Sequence, residues 1–297
     1  MRILVTGGTG FVGKALVNEL QGQGHEIVFL ARRDVPSPGM PLPLEKLDAV
    51  QAVINMAGES IAGARWTDAY KQKIRDSRIP LTRSLAEACV QMATRGDKPP
   101  AVFITISAVG YYGTHPTENF TERNSPGASW LSTVARDWET AAVRVQEAGT
   151  RLVVLRLGVV LGPGGFLDRI STPYRFFVGG PAGTGRQWLS WIHRDDVVAV
   201  IVKALADPAM QGAYNVTAPE PVTMDDMSAA IGSALGRPSW LRVPALPLRI
   251  LLGEMADELI LNGQRVLPER LLDREYSYRY PDLQLAVKSA LEKECKK

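Results

Sequence analysis

The stretch that decides the fold is ILVTGGTGFVG, residues 3–13. Its first residues are aliphatic or β-branched and read as a short strand. Gly7, Gly10 and Gly13 follow at three-residue intervals. The segment FVGKALVNELQGQG then carries Val12, Ala15, Leu16 and Leu20 at helical spacing, and Gly22 and Gly24 end the helix. EIVFLAR reads as the next strand. Two parallel strands need a crossover, so these pieces form a βαβ unit at the start of the chain.

Glycines between a strand and a helix suit a dinucleotide pyrophosphate. Gly7 lets the chain turn, Gly10 lets the backbone approach the phosphates, and Gly13 lets the helix pack against the strand. The helix N-terminus adds unpaired N–H groups and a positive dipole. Cofactor contacts are therefore predicted at Gly7, Thr9, Gly10, Phe11, Val12 and Gly13. A site for NAD usually has an acid at the end of the second strand, where it binds the ribose 2′-hydroxyl. Here the strand ends in Ala31, Arg32 and Arg33. A guanidinium suits a 2′-phosphate, which predicts NADP(H). The alternative leaves both arginines in solvent and lets Asp34 reach the ribose.

Strands continue to alternate with helices. AVINMAG, AVFITIS and RLVVLRLGVVLG read as strands, residues 66–93 as a helix or two, and residues 130–148 as a helix. The unbroken apolar strands fit a sheet covered on both faces. The predicted class is α/β, a Rossmann-type doubly wound parallel sheet with a smaller, mainly helical carboxy-terminal lobe. The predicted dinucleotide-binding domain is 1–163 plus 191–217. The substrate-side lobe is 164–190 plus 218–297, rich in Gly and Pro in its first part and broken by Pro238, Pro244, Pro247 and Pro268 in its second.

Hydrophobic residues make up 45% of the chain, enough for a real core, and the formal net charge is +3 with no long basic block. Bulk charge therefore points to neither nucleic acid nor a membrane. MRILVTGG enters a strand directly, with no signal segment, so a cytoplasmic protein is expected. Cys89 and Cys295 and the three histidines are scattered, and no metal site is expected.

TGGTGFVG, INMAG, ISAVGYYG, LRLGVVLGPGG and WIHRDDV occur in an order that resembles the extended short-chain dehydrogenases/reductases. Within them the chain is similar to the epimerase family branch, related to nucleotide-sugar epimerases. The texture of Asn215 to Leu271 looks like that branch too. The resemblance implies that Met56, Ala57 and Gly58 pass beside the adenosine ribose and phosphates. It implies that Leu157 and Val159 border the nicotinamide and that Asp196 is a structural cap. Arg78 stands where relatives often carry asparagine, either contacting the phosphates or lying on a helix surface.

The superfamily moves a proton with a Tyr-x-x-x-Lys pair, the lysine lowering the tyrosine pKa. No such pair occurs in SWLSTVARDWETAA. Aligned on Glu139, Leu131 takes the tyrosine place and Ala135 the lysine place. Candidate catalytic hydroxyls are therefore Ser107, Tyr111 and Tyr112 at the end of the strand FITIS, with the two tyrosines as packing aromatics in the alternative. His193 is expected to be structural. Arg186 is either an anion contact or a surface residue. Two readings follow. One is an NADP(H)-dependent oxidoreductase or epimerase-like enzyme acting on a small molecule, phosphorylated or nucleotide-linked. The other is a cofactor-binding sensor or scaffold without chemistry. Relatives often pair through helices of the first lobe, which leaves a homodimer open.

Overall fold

Thr6 lies in register with Leu30 on one side and Asn55 on the other, both in parallel pairings. That places β1 (Arg2–Thr6) between β2 (Glu26–Leu30) and β3 (Ala52–Asn55), with α1 (Phe11–Gly22) as the first crossover. The computed structural model describes residues 1–30, 34 and 42–292, with backbone alone at 166, 168 and 169. Ala31, Arg32 and Arg33 lie outside the described residues.

The chain continues through α2 (Asp68–Asp76), α3 (Ile79–Arg95), β4 (Val102–Ala108), β5 (Asn119–Phe120), α4 (Trp130–Val143) and β6 (Arg151–Leu157). Then come β7 (Val159–Leu161), α5 (Phe166–Arg175), β8 (Trp188–Leu189), β9 (Trp191–His193), α6 (Arg194–Ala206) and β10 (Gly212–Val216). The remainder holds β11 (Val222–Thr223), α7 (Met224–Leu235), α8 (Ala245–Leu252), α9 (Glu254–Ala256), β12 (Arg265–Val266), α10 (Glu269–Leu272) and α11 (Leu283–Glu292).

Six strands make one sheet in the order β10-β6-β4-β3-β1-β2. The winding reverses after β2, so the carboxyl ends of β1 and β3 flank the switch point, where open α/β sheets bind ligands. The sheet is the expected doubly wound type.

Two units emerge from the contacts, each built of three segments. The first is Met1–Ser107, Thr133–Leu155 and Val198–Ala213. Its core joins Leu4, Val53 and Phe103 of the sheet to Leu85 and Cys89 of α3. Burial of β3 along its whole length explains why its sequence is apolar rather than alternating. The second unit is Ala108–Ser132, Arg156–Val197 and Tyr214–Lys297.

The second unit starts earlier in the chain than the expected lobe did. Residues 108–132, 156–163, 191–197 and 214–217, expected in the first domain, group with it. Their apolar side chains account for this. Tyr112 and Phe120 cluster with Val266, and Leu161 packs with Trp191, Met227 and Val287. Thr223 opens α7 with a reciprocal cap: its hydroxyl accepts from the Asp226 N–H, and Asp226 accepts from the Thr223 N–H. No helix among the described residues is long and apolar enough to cross a membrane.

Candidate functional site

Gly7 holds φ +68°, and its carbonyl accepts from the Gly10 N–H at 3.0 Å, closing the turn after β1. A Cβ on Gly7 would stand 2.6 Å from the Met56 carbonyl oxygen, and one on Gly13 would run into the Gly7 carbonyl. These two glycines let backbone meet backbone. At Gly10 an added Cβ would meet only the Gly7 carbonyl, at 3.2 Å. Gly10 begins α1 with no side-chain cap, and the first turn carries no acid. Backbone donors and a positive helix end thus converge on open space that a side chain would fill. This cradle fits a pyrophosphate.

Behind it, Thr6 ties the neighbouring loop to β1. Its hydroxyl accepts from the N–H groups of Met56 and Ala57, both at 3.0 Å, and donates to Asn55 Oδ1 at 2.7 Å. Asn55 Nδ2 donates to Thr82 at 2.7 Å, and the Trp138 indole donates to the same hydroxyl at 2.9 Å. The network is buried and joins β1, β3, α3 and α4. Every bond in it therefore carries more energy than it would in water.

Arg78, for which the resemblance left open a phosphate contact or a helix-surface place, is held by backbone carbonyls. Its guanidinium donates to the carbonyls of Glu59 at 2.7 Å and Ile74 at 2.9 Å, and lies over the Trp138 ring. Burial lowers its pKa to about 10, opposed by Glu59. An added Cβ on Gly58 would meet the guanidinium carbon at 2.8 Å. Arg78 pins the segment after Gly58 to the end of α2. Asp34, the alternative ribose reader, accepts an ion pair from Lys46 at 3.3 Å.

Ser107 is 2% exposed, and its hydroxyl donates to the Glu139 carboxylate at 2.6 Å. The hydroxyl is directed to α4. Leu131 and Ala135 lie on that helix.

The second unit holds the tyrosines, on a single 3-10 turn from Val109 to Tyr112. Tyr112 is buried. Its hydroxyl accepts from Arg156 Nη1 at 2.8 Å and donates to Asn215 Oδ1 at 2.7 Å. Burial pushes its pKa up to about 12, against the opposing pull of Arg156. Tyr111 is half-buried, and the Arg156 guanidinium lies 3.5 Å from its ring centroid. Such a contact is a strong cation–π arrangement.

Glu122 completes the cluster. One carboxylate oxygen accepts from the backbone of Asn215 at 2.9 Å and Arg270 at 3.3 Å, while the other is buried without a hydrogen bond. Burial raises its pKa. Arg156, Asn215 and Glu122 were not singled out in the sequence. An arginine inside LVVLRL was the available signal, because a buried charge in an apolar strand demands partners.

Leu157 ends β6, and Val159 opens β7 in register with Trp191. His193 is buried with its ring 3.8 Å from that of Tyr280, a structural placement. The Asp196 carboxylate, expected as a cap, accepts from the backbone of Arg279 at 2.7 Å and Tyr280 at 3.0 Å, holding the carboxy-terminal segment. The Arg186 side chain is exposed.

Residues 3–217 match the NAD dependent epimerase/dehydratase family, and residues 243–290 match a domain of unknown function, DUF1731. The epimerase family protein YfhF of Bacillus subtilis is 39% identical, over 97% of this chain and 97% of its own. The chloroplastic epimerase family protein SDR39U1 homolog of Arabidopsis thaliana is 38% identical, over 98% of this chain and 87% of its own. The crystal structure of human epimerase family protein SDR39U1 (isoform2) with NADPH aligns at a TM-score of 0.88 and 34% identity, covering 98% of this chain and 99% of that one. A glycine cradle at the switch point of a parallel sheet and a family match across both units lead to one conclusion: this chain belongs to the NAD dependent epimerase/dehydratase family.

Proposed function

We propose that the chain binds NADP(H) at the glycine cradle and works as an oxidoreductase or epimerase-like enzyme of the short-chain dehydrogenase/reductase type in the cytoplasm. Its substrate in this reading is a small molecule, phosphorylated or nucleotide-linked. The observation that carries the proposal is the cradle of Gly7, Gly10 and Gly13, backed by Thr6. Preference for the 2′-phosphate is supported by Arg32 and Arg33, which follow β2 in the sequence, and by the NADPH in the human relative.

A bound nicotinamide would supply hydride transfer. The chain would hold its pyrophosphate on the α1 N-terminus and its adenosine side along Met56 to Gly58. Leu131 and Ala135 provide no proton, so a different hydroxyl must. Tyr112 keeps its proton up to about pH 12 and is fixed by Arg156 and Asn215, which suits a positioning residue rather than a base. Tyr111 is the less buried phenol, its ring braced by the guanidinium. We assign it the contact with substrate.

A second reading is favoured by the engagement of Ser107 with Glu139. With that hydroxyl turned away, the protein would bind cofactor without exchanging hydride, as a sensor or scaffold.

Titration of NADPH and NADH by quenching of tryptophan emission, on wild type and Arg32→Asp, tests the proposal. NADPH preference that the variant abolishes is the expected result. Equal binding removes the arginine inference, and no binding of either removes the cradle. Hydride exchange with a panel of carbonyls and alcohols, reduced by Tyr111→Phe, separates enzyme from sensor.

A further inference from the structure

Arg265 carries a charge that its own chain does not answer. Its Nε is buried without a hydrogen bond, and among the described residues its side chain makes no ion pair. Arg2 and Arg194 also lack a hydrogen bond at a buried Nε, yet each has a carboxylate beside it, Glu26 at 3.2 Å and Asp195 at 3.7 Å. A guanidinium taken out of water ordinarily acquires acceptors, because a buried donor left unpaired costs free energy. The residue as a whole is half-buried; Nε is sealed and the Nη fork is not.

The strand fixes where that fork points. β12 pairs in parallel with β5, Arg265 opposite Asn119 and Val266 opposite Phe120. The Ser190 hydroxyl donates to the Gln264 carbonyl and accepts from the Val266 N–H, both at 2.9 Å. The chain is therefore clamped on either side of Arg265. Val266 turns into the cluster of Val109, Tyr112 and Phe120. Successive strand residues face opposite ways, so Arg265 leaves by the other face. There its guanidinium carbon lies 4.7 Å from the Trp188 ring centroid. That ring is itself held: the indole donates to the Pro116 carbonyl at 3.1 Å, and the neighbouring His115 N–H donates to the Gly263 carbonyl at 2.9 Å. A guanidinium seated on an aromatic ring by a clamped strand has little freedom left to lose when an anion arrives.

We infer that Arg265, on its Trp188 platform, is a binding site for one oxyanion, a carboxylate or phosphoryl group of a small molecule. The two Nη groups present parallel N–H bonds at the spacing of two oxygens in such a group. On the reading of the chain as an enzyme, this is the anionic end of the substrate. The site is built wholly from the second unit and stands without that reading.

Fluorine NMR of the full chain labelled with 5-fluorotryptophan tests the inference, the Trp188 resonance being assigned by its loss in Trp188→Phe. Potassium phosphate and potassium acetate are the probes, each exchanged for potassium chloride at constant ionic strength, with and without saturating NADPH. A saturable shift of the Trp188 resonance is expected, the same in both conditions. Tighter phosphate binding would assign a phosphoryl group, and tighter acetate binding a carboxylate. Arg265→Gln should abolish the shift. Arg265→Lys keeps the charge and loses the fork, so it should raise the Kd of the anion about tenfold, with near-UV dichroism unchanged. No saturable shift with either probe would overturn the proposal. So would a shift that persists undiminished in the Arg265 variants, since the anion would then sit elsewhere. A chain that responds to phosphate but binds no NADPH would keep this site and remove the cofactor reading alone.

Discussion

The Ser107 hydroxyl donates to the Glu139 carboxylate at 2.6 Å, joining the end of β4 to the middle of α4. Hydrogen bonds to a charged acceptor are worth about 1.5–3 kcal/mol. Ser107→Ala should lower the unfolding free energy by about 2 kcal/mol, read by urea denaturation. Unchanged stability would mean that Glu139 is satisfied without the serine.

Gly13→Ala should abolish dinucleotide binding while leaving a folded chain. The added Cβ meets the Gly7 carbonyl, so the loop must open or α1 must lift from β1. Fluorescence titration should show affinity for NADPH reduced more than about tenfold, equivalent to 1.4 kcal/mol.

Tyr112 should titrate well above the ordinary phenol range, because burial outweighs the pull of Arg156. Difference absorbance at 295 nm between wild type and Tyr112→Phe should place its ionisation at about pH 12. An unfolded tyrosine loses its proton near pH 10. Above that value the unfolded state holds fewer protons than the folded one. The stability Tyr112 contributes is therefore fully present below about pH 10 and lost as pH rises through about 12.

Glu122 gives a second pH dependence. Burial raises its carboxyl above the ordinary range, so the folded state keeps a proton that the unfolded state has released. Its contribution is present at low pH and fades as pH climbs from the unfolded value near 4 through the folded one. Glu122→Gln removes the titration and keeps an acceptor for Asn215 and Arg270. Melting temperatures measured from pH 4 to 8 should show the variant gaining on wild type as pH rises. A constant gap would count against the buried acid.

Arg78→Met should raise the apparent dissociation constant for NADPH without changing the preference over NADH. The guanidinium anchors the carbonyls of Glu59 and Ile74, so its loss loosens the loop after Gly58. A change in preference would instead mean that Arg78 touches the 2′-phosphate.

The glycine cradle was legible because its neighbours in sequence are its neighbours in space. Strand, loop and helix are contiguous, and hydrophobic spacing reports each. The alternation of later strands and helices likewise exposed the sheet. The tyrosine cluster was not legible in full. Tyr112 reaches Asn215 across 103 positions, and Ser107 reaches Glu139 across 32. No local pattern encodes such partners. The unit boundaries differ from the sequence expectation for a related reason. The turn after β4 looks like the tail of a sheet strand, yet Tyr112 and Phe120 bury themselves beside Val266.

The interleaving of the two units has a consequence for biosynthesis. Each is assembled from three separated stretches, with the last piece of the first unit ending at Ala213. A ribosome delivering the chain from its amino end cannot let that unit finish until residue 213 has emerged. By then two stretches of the other unit are already outside and unfinished, with their apolar surfaces uncovered. Domain-by-domain folding during synthesis, the usual protection of a growing chain, is therefore closed to this protein. Residues 108–132 and 156–197 must wait for residues 214–297 before their unit can close.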